Sequence, residues 1–538
     1  MAIFILLVSF LSFNIFFATP ILATYPTPDI AHWDLSVSDE RNDADYKEAQ
    51  DLVEQKNLDA ALALLNKKIE ELPKEASPVI LKAFVLHEKG LAKESLESLL
   101  IAFKMERQHP ALHFAFCQIH RKLGNADISD RACIIAAQQH HKNPLAHYEY
   151  AKTLMGMGNS MEALKELTYA ENLDPENSSY PFEKGMIFLY QNNNDEAEKT
   201  FKKALSINNK NIEATYQLAY LYATQGKDEL SKTYVNKVLE MGLQPPKVES
   251  AKLLRNYIFK NQIGKLPKTI SPQKYHLGRS KSLYQKKEYG LALIEIETAA
   301  KLNPTDLKTQ EILVGMYSLF LRLDKAEKTL LQLIDSANDK DPIKSRSYQE
   351  WGDIAVLRGK MKAAKERYEK AKELGDPQGI AKVTLKEFPD LSTPVDKLPL
   401  NPNELFVKPT NSLNRKGEIF AHFGMYQRAL GVYSMVLRME PSNLMALLNM
   451  ATVNYKNKKY NRAISILERL LVIHPNHENL LSHRLLLARA YVMKGDLGDG
   501  VKNIDIALKL NPNAKQMIVS DTVFEKLRGL KDFQRLVN

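Results

Sequence analysis

Residues 144–177, PLAHYEYAKTLMGMGNSMEALKELTYAENLDPEN, and residues 178–211, SSYPFEKGMIFLYQNNNDEAEKTFKKALSINNKN, are one 34-residue unit written twice. In the first copy Ala151, Gly158, Ala163, Ala170 and Pro175 hold the eighth, fifteenth, twentieth, twenty-seventh and thirty-second places. In the second copy Gly185, Asn192, Ala197, Ala204 and Asn209 hold them. Tyr148, Ala151, Leu154 and Met155 recur at helical spacing, and Gly158-Asn159 then interrupts them with a turn. Ala163, Leu164, Leu167, Ala170 and Leu173 give a second apolar face before Pro175 stops the helix. Small residues at three fixed places let the two helices approach closely. One such hairpin cannot bury its apolar face alone, so the period predicts a solenoid of stacked hairpins.

These residues closely resemble the tetratricopeptide repeat family. The resemblance implies an all-α, right-handed superhelical solenoid that binds extended partners. Six units run without a gap over 42–245, from Asn42–Glu75 to Ile212–Pro245, with serine rather than alanine at the twentieth place in Ser95, Ser129 and Ser231. Segment 246–272 reads as an extra helix and a linker. Three units follow over 273–378 (Gln273–Asp306, Leu307–Lys340, Ser345–Gln378), then a proline-rich connector over 379–409. Three more cover 410–514 (Thr410–Asn443, Leu444–His477, Leu481–Ala514), the last with Gly500 at its twentieth place, expected to loosen its second helix. Residues 515–538 read as one terminal helix capping the stack. About twelve hairpins result, in runs of six, three and three.

At 538 residues the chain exceeds an ordinary single core, which suits a solenoid whose core grows with repeat number. Residues 1–23 read as a signal peptide cut after Ala23 or as a retained membrane anchor, since Ala2–Phe17 is uncharged and almost wholly apolar. Both readings place the repeats outside the cytoplasm, beyond a spacer at 24–41. The formal charge is +10, and from Thr410 onward 19 Lys and Arg stand against 10 Asp and Glu. Arg415, Lys416, Arg428, Lys456, Lys458, Lys459, Arg462, Arg484, Arg489 and Lys502 are therefore expected either to present a face to an acidic protein, an anionic membrane surface or a glycan, or to be a solvated surface. Nothing resembles a nucleic-acid-binding module.

Tyr46, Ile80, Phe114, Tyr148, Phe182 and Tyr216 occupy the fifth place of the six leading units. The resemblance implies that the fifth, ninth, twelfth and thirteenth places face an inner, concave surface, near Phe84, Lys152, Met155, Met186, Leu189 and Tyr220. Such a stripe suits an extended peptide or amphipathic helix, with Tyr148, Phe182 and Tyr216 as anchors and Lys152 setting the charge preference. The alternative is that the fifth-place aromatics simply pack against the next hairpin.

Cys117 and Cys133 fall at the eighth and twenty-fourth places of one hairpin, and either a disulfide or two buried thiols fits. The twenty-fourth place is not expected to be the closest partner of the eighth. His109, His113, His120, His140, His141 and His147 crowd one region but lack the convergence of a metal site. No phosphate-binding loop, zinc-protease motif or nucleophile elbow occurs. The expectation is a non-catalytic scaffold without cofactor, serving envelope assembly, secretion or polymer export. The alternative is a structural spacer or self-associating scaffold whose basic end docks on an anionic surface.

Overall fold

The computed structural model describes residues 43–241, 247–260, 271–390 and 408–537. The leader, its spacer, the Pro245-Pro246 break and most of the proline-rich connector lie outside them. Among the described residues every regular element is a helix. None is long and apolar enough to cross a membrane.

Six consecutive helix pairs come first. They are α1–α2 (Asp43–Glu54, Leu58–Glu71), α3–α4 (Ser77–Lys89, Ala92–Met105), α5–α6 (Pro110–Lys122, Ala126–Gln139), α7–α8 (Pro144–Gly156, Ser160–Leu173), α9–α10 (Ser179–Tyr190, Asn194–Ile207) and α11–α12 (Ile212–Thr224, Asp228–Glu240). A single helix α13 (Lys247–Phe259) precedes α14–α15 (Pro272–Gln285, Tyr289–Leu302), α16–α17 (Leu307–Leu319, Leu323–Ser336) and α18–α19 (Pro342–Leu357, Met361–Glu373). A short α20 (Ile380–Lys386) leads to α21–α22 (Pro409–His422, Tyr426–Met439), α23–α24 (Leu444–Lys456, Tyr460–Ile473) and α25–α26 (Leu480–Lys494, Leu497–Leu510). The described chain is thus an all-α solenoid of helical hairpins. It divides into two compact units, one ending at Tyr317 and the other beginning at Ser318.

The start of each hairpin is written locally. Asn143 accepts a hydrogen bond from the Leu145 backbone N–H at 2.8 Å, and Pro144 follows it in the first turn, where its missing N–H costs nothing. The turn between the two helices has one fixed requirement. Residues Lys56, Gly90, Gly124, Gly158, Asn192, Gly226, Lys287, Leu321, Gly359, Gly424, Lys458 and Gly495 all have positive φ, and all stand at the fifteenth place of their units. Asn192 replaces glycine in the second quoted copy because asparagine tolerates this conformation better than most side chains.

The two helices of a hairpin close on each other through the eighth and twenty-fourth places. Where the eighth is glycine the twenty-fourth is an aromatic. A β-carbon added at Gly185, Gly352 or Gly417 would lie 2.5, 2.7 or 2.4 Å from the ring of Phe201, Tyr368 or Tyr433. Where the eighth is alanine the twenty-fourth is smaller, as in Ala151 with Leu167 and Ala219 with Val235, all fully buried. In the third hairpin the pair is Cys117–Cys133, a disulfide with Cα atoms 4.8 Å apart. The eighth and twenty-fourth places thus do face each other, contrary to the sequence expectation, because both lie on the contact line of the hairpin.

Serine at the twentieth place is accommodated rather than disruptive. Ser95, Ser129 and Ser231 each donate a hydroxyl hydrogen bond to the carbonyl of the eighth-place residue (Ala83, Cys117 and Ala219) at 2.6, 2.8 and 2.8 Å. Gly500 does not loosen α26, which continues to Leu510, because the space a β-carbon would take is held by Val492. The C-terminal cap differs from the single helix expected. It is a 3-10 turn (Pro512–Ala514), α27 (Lys515–Ser520), a 3-10 segment (Thr522–Leu527) and α28 (Lys531–Val537). Ala514, Ile518, Phe524, Leu527 and Phe533 of this cap are buried, in one cluster with Ala488, Val492 and Ile504.

The disulfide closes a short loop across one hairpin. Replacing both cysteines by serine (Cys117→Ser with Cys133→Ser) is expected to destabilise the first unit by about 2–4 kcal/mol. The check is urea unfolding of the full chain with and without the pair. An unchanged midpoint would show that the crosslink constrains nothing in the unfolded chain.

Candidate interaction faces

The residues proposed as an open stripe are mostly interior. Phe84, Phe114, Tyr148, Phe182, Met186, Tyr216 and Tyr220 are all buried, whereas Tyr46 and Lys152 are part-exposed. Their rings serve the stack. Tyr148 meets Tyr180 of the next hairpin edge-on with centroids 5.2 Å apart, and Phe182 meets Phe201 at 5.8 Å. Lys152 is occupied too, with its ammonium 2.5 Å from Glu149 and 4.7 Å from the Tyr148 ring centroid. Phe114, Tyr148, Phe182 and Tyr216 are thus interior side chains in this structure.

Part of this side is covered by the chain itself. The α14–α15 hairpin lies against α5 and α7, the first helices of successive hairpins, with Tyr275 reaching α9. Contact is at their C-terminal ends, which carry the thirteenth-place residues Gly156 and Tyr190. The approach is closest at Gly290, where an added methyl group would lie 1.8 Å from the Lys122 carbonyl oxygen. Gly124 faces Gly290, and Gly156 faces Ile294. Thr298 donates a hydrogen bond to the Gly156 carbonyl at 2.7 Å. Tyr275 packs on Tyr190 with ring centroids 4.2 Å apart.

A buried ionic array lies along this seam. Arg121 pairs with Glu149, which Lys152 also contacts. On the hairpin side Glu295 accepts from Arg279 at 3.0 Å and from His276 at 2.7 Å. Glu183 of α9 stands in the field of both groups and is 1% exposed. Burial pushes its carboxyl up to about 7, against the opposing charges of Arg279 and Lys152. Its Oε2 makes no hydrogen bond among the described residues. Burial also brings Lys152 down to about 8, although Glu149 favours its charged form. None of Gly156, Glu183, Arg279, Gly290 or Thr298 was singled out from the sequence. The available signal was glycine where no turn is needed, which marks close backbone approach.

In the second compact unit an equivalent cluster uses two of the basic residues. Asp353 is buried and accepts from Tyr368 at 2.7 Å, and it pairs with Lys416 at 3.2 Å and with Arg428. Burial would raise its pKa, but Arg428 and Lys416 outweigh that and hold the carboxyl below its usual range. Arg415 pairs with Glu418, Arg484 bonds Asn503 and Arg489 pairs with Asp521. The expected basic face therefore loses these members to internal pairing. Lys456, Lys458, Arg462 and Lys502 remain exposed, and Lys459 is half-buried.

The histidines have local partners. His109 caps α5 through Ala111 N–H and bonds Ser77, and His147 bonds Glu166 at 2.6 Å. His120 stacks on Phe116. Among the described residues no three His, Cys, Asp or Glu side chains converge as metal ligands.

Tetratricopeptide repeat models match residues 182–211, 212–241 and 445–477. Similar solved structures include a tetratricopeptide repeat protein from Parabacteroides merdae, 18% identical over 58% of this chain and 97% of that one, with a TM-score of 0.29. A thermophilic repeat protein in Thermus thermophilus is 19% identical over 35% of this chain and 100% of that one, with a TM-score of 0.28. MamA is 16% identical over 38% of this chain and 96% of that one, with a TM-score of 0.23. No curated relative matches the chain in sequence.

The Glu183 carboxyl gives a pH test. Its folded pKa lies above the ordinary 4.5, so its contribution is complete below that value and is lost as pH rises through about 7. Glu183→Gln removes this loss. The variant is expected to gain roughly 2–3 kcal/mol relative to the parent between pH 5 and pH 8. Parallel pH–stability profiles for the two proteins would contradict the assignment.

Proposed function

From the premise that this chain is a tetratricopeptide repeat protein, we propose that it is a non-catalytic scaffold that holds helical segments of partner proteins against the inner faces of its repeats. One observation carries this reading: the inner side of the first run already holds a helical hairpin, α14–α15, through glycine contacts, an aromatic pair and buried charges. A surface shaped to clasp one helical pair has the chemistry to clasp another. We place this activity outside the cytoplasm, in envelope assembly, secretion or polymer export. The apolar segment Ala2–Phe17 supports that location, as does the Cys117–Cys133 disulfide, a bond that persists in oxidising compartments.

A second reading has its own observation. Lys456 and Lys458 at the turn after α23, with Arg462 in the first turn of α24, are exposed in the most basic part of the chain. They fit docking on an anionic surface or an acidic partner, with the solenoid acting as a spacer. Reversing all three charges is expected to abolish salt-sensitive sedimentation with anionic vesicles. Sedimentation that is unaltered would remove this reading.

The scaffold reading is tested by photocrosslinking in cells. A photoreactive residue at Tyr46, the fifth-place side chain that stays part-exposed, is expected to trap one dominant partner. The same residue at the exposed, outer Lys199 should not. The absence of any adduct at Tyr46 in folded, expressed protein would count against inner-face binding.

A further inference from the structure

The hairpin seated on the first run has polar contacts of its own between its two helices. His276 and Arg279 of α14 both bond Glu295 of α15. Ser280 likewise donates to the Ala292 carbonyl at 2.7 Å, within the same hairpin. Ser271 caps α14 through Lys274 N–H. The pair is therefore a self-contained repeat, able to keep its own contacts when it leaves the face.

The face is left incomplete by this occupant. Glu183 is buried there with Tyr148 hydrogen-bonded to its carboxyl, but Oε2 is unpartnered among the described residues, although buried polar atoms are ordinarily hydrogen-bonded. Arg279 places its charge near Glu183, while it bonds Glu295 and the Tyr275 hydroxyl. A cation delivered directly to Glu183 would replace a distant charge by a charge-assisted hydrogen bond in a dry site.

Building on the reading that inner faces receive helical segments, we propose that the α14–α15 hairpin is a displaceable occupant of the α5–α9 face. The incoming ligand is a helical protein segment that sets an aromatic ring on Tyr190 and an arginine on Glu183. The native hairpin is the weaker, intramolecular version of that ligand, with Tyr275 and Arg279 one helical turn apart in the same two roles. Partner binding and hairpin docking then exclude each other, so the free chain masks its own binding face.

The test uses the full chain and a fluorescein-labelled synthetic peptide of residues 272–302. Gly290→Ala in the chain sets a methyl group against the Lys122 carbonyl and so disfavours docking, while alanine favours the helix. Peptide binding, read by anisotropy, is expected to be about tenfold tighter for G290A than for the parent, a difference of about 1.4 kcal/mol. Arg279→Ala in the peptide, or Glu183→Gln added to the G290A chain, should remove most of that gain. If G290A does not fold by circular dichroism, Thr298→Val, which deletes the bond to Gly156, should give a smaller increase of roughly two- to fivefold. Equal binding by parent and opened chain, or indifference to R279A, would overturn the proposal. A concentration-dependent dimer of G290A without peptide binding would also overturn it, in favour of a second copy as the occupant. Loss of exchange with the Tyr46 adduct retained would remove the displaceable hairpin and leave the scaffold reading standing.

Discussion

The structure depends on one local constraint, the closure of each hairpin between its eighth and twenty-fourth residues. A helix pair this short has no core except the line along which its two helices touch. Side-chain volume on that line has to be conserved: glycine faces an aromatic, alanine faces leucine or valine, and the third hairpin crosslinks two cysteines. The positive-φ residue at the fifteenth place sets the turn that brings the two positions opposite each other. Once every hairpin has the same internal spacing, neighbours stack with the same offset, and the fifth-place aromatics fill the space between them.

Stacking leaves an inner side whose polar groups must be satisfied, and here the chain meets part of that demand itself. The α14–α15 hairpin covers the ends of α5 and α7 and brings Arg279, His276 and Glu295 to the buried charges of the first run. In the second compact unit Lys416 and Arg428 do the same for Asp353. Buried ion pairs of this kind add little net stability, since desolvation offsets their attraction, but they specify which surfaces meet. An interface held in this way, with one carboxyl oxygen left without a hydrogen bond among the described residues, is better suited to exchange than a wholly apolar one.

The periodic features were legible in the sequence. Small residues at fixed places located the hairpins, because only close helix approach demands them at that spacing. What the inner side carries was not legible, because solvent exposure depends on which segment returns to cover it. Tyr148, Phe182 and Tyr216 read equally well as binding anchors or packing residues, and all three are buried. Lys416 and Arg428 looked like surface charge because their partner Asp353 lies more than fifty residues earlier. Gly156 and Gly290 could be recognised only by asking why a helix end should carry glycine at a place where the turn does not require it.

The central claim is that the first run holds α14–α15 against its inner side. It is tested most directly by Gly156→Cys with Ile294→Cys and a short thiol crosslinker. The native cysteines are already bonded to each other, and a β-carbon at position 156 lies 3.1 Å from Ile294. Rapid intramolecular linkage of the two positions is expected, read by peptide mass mapping of monomeric protein. A folded chain whose two thiols react singly but never join would contradict it.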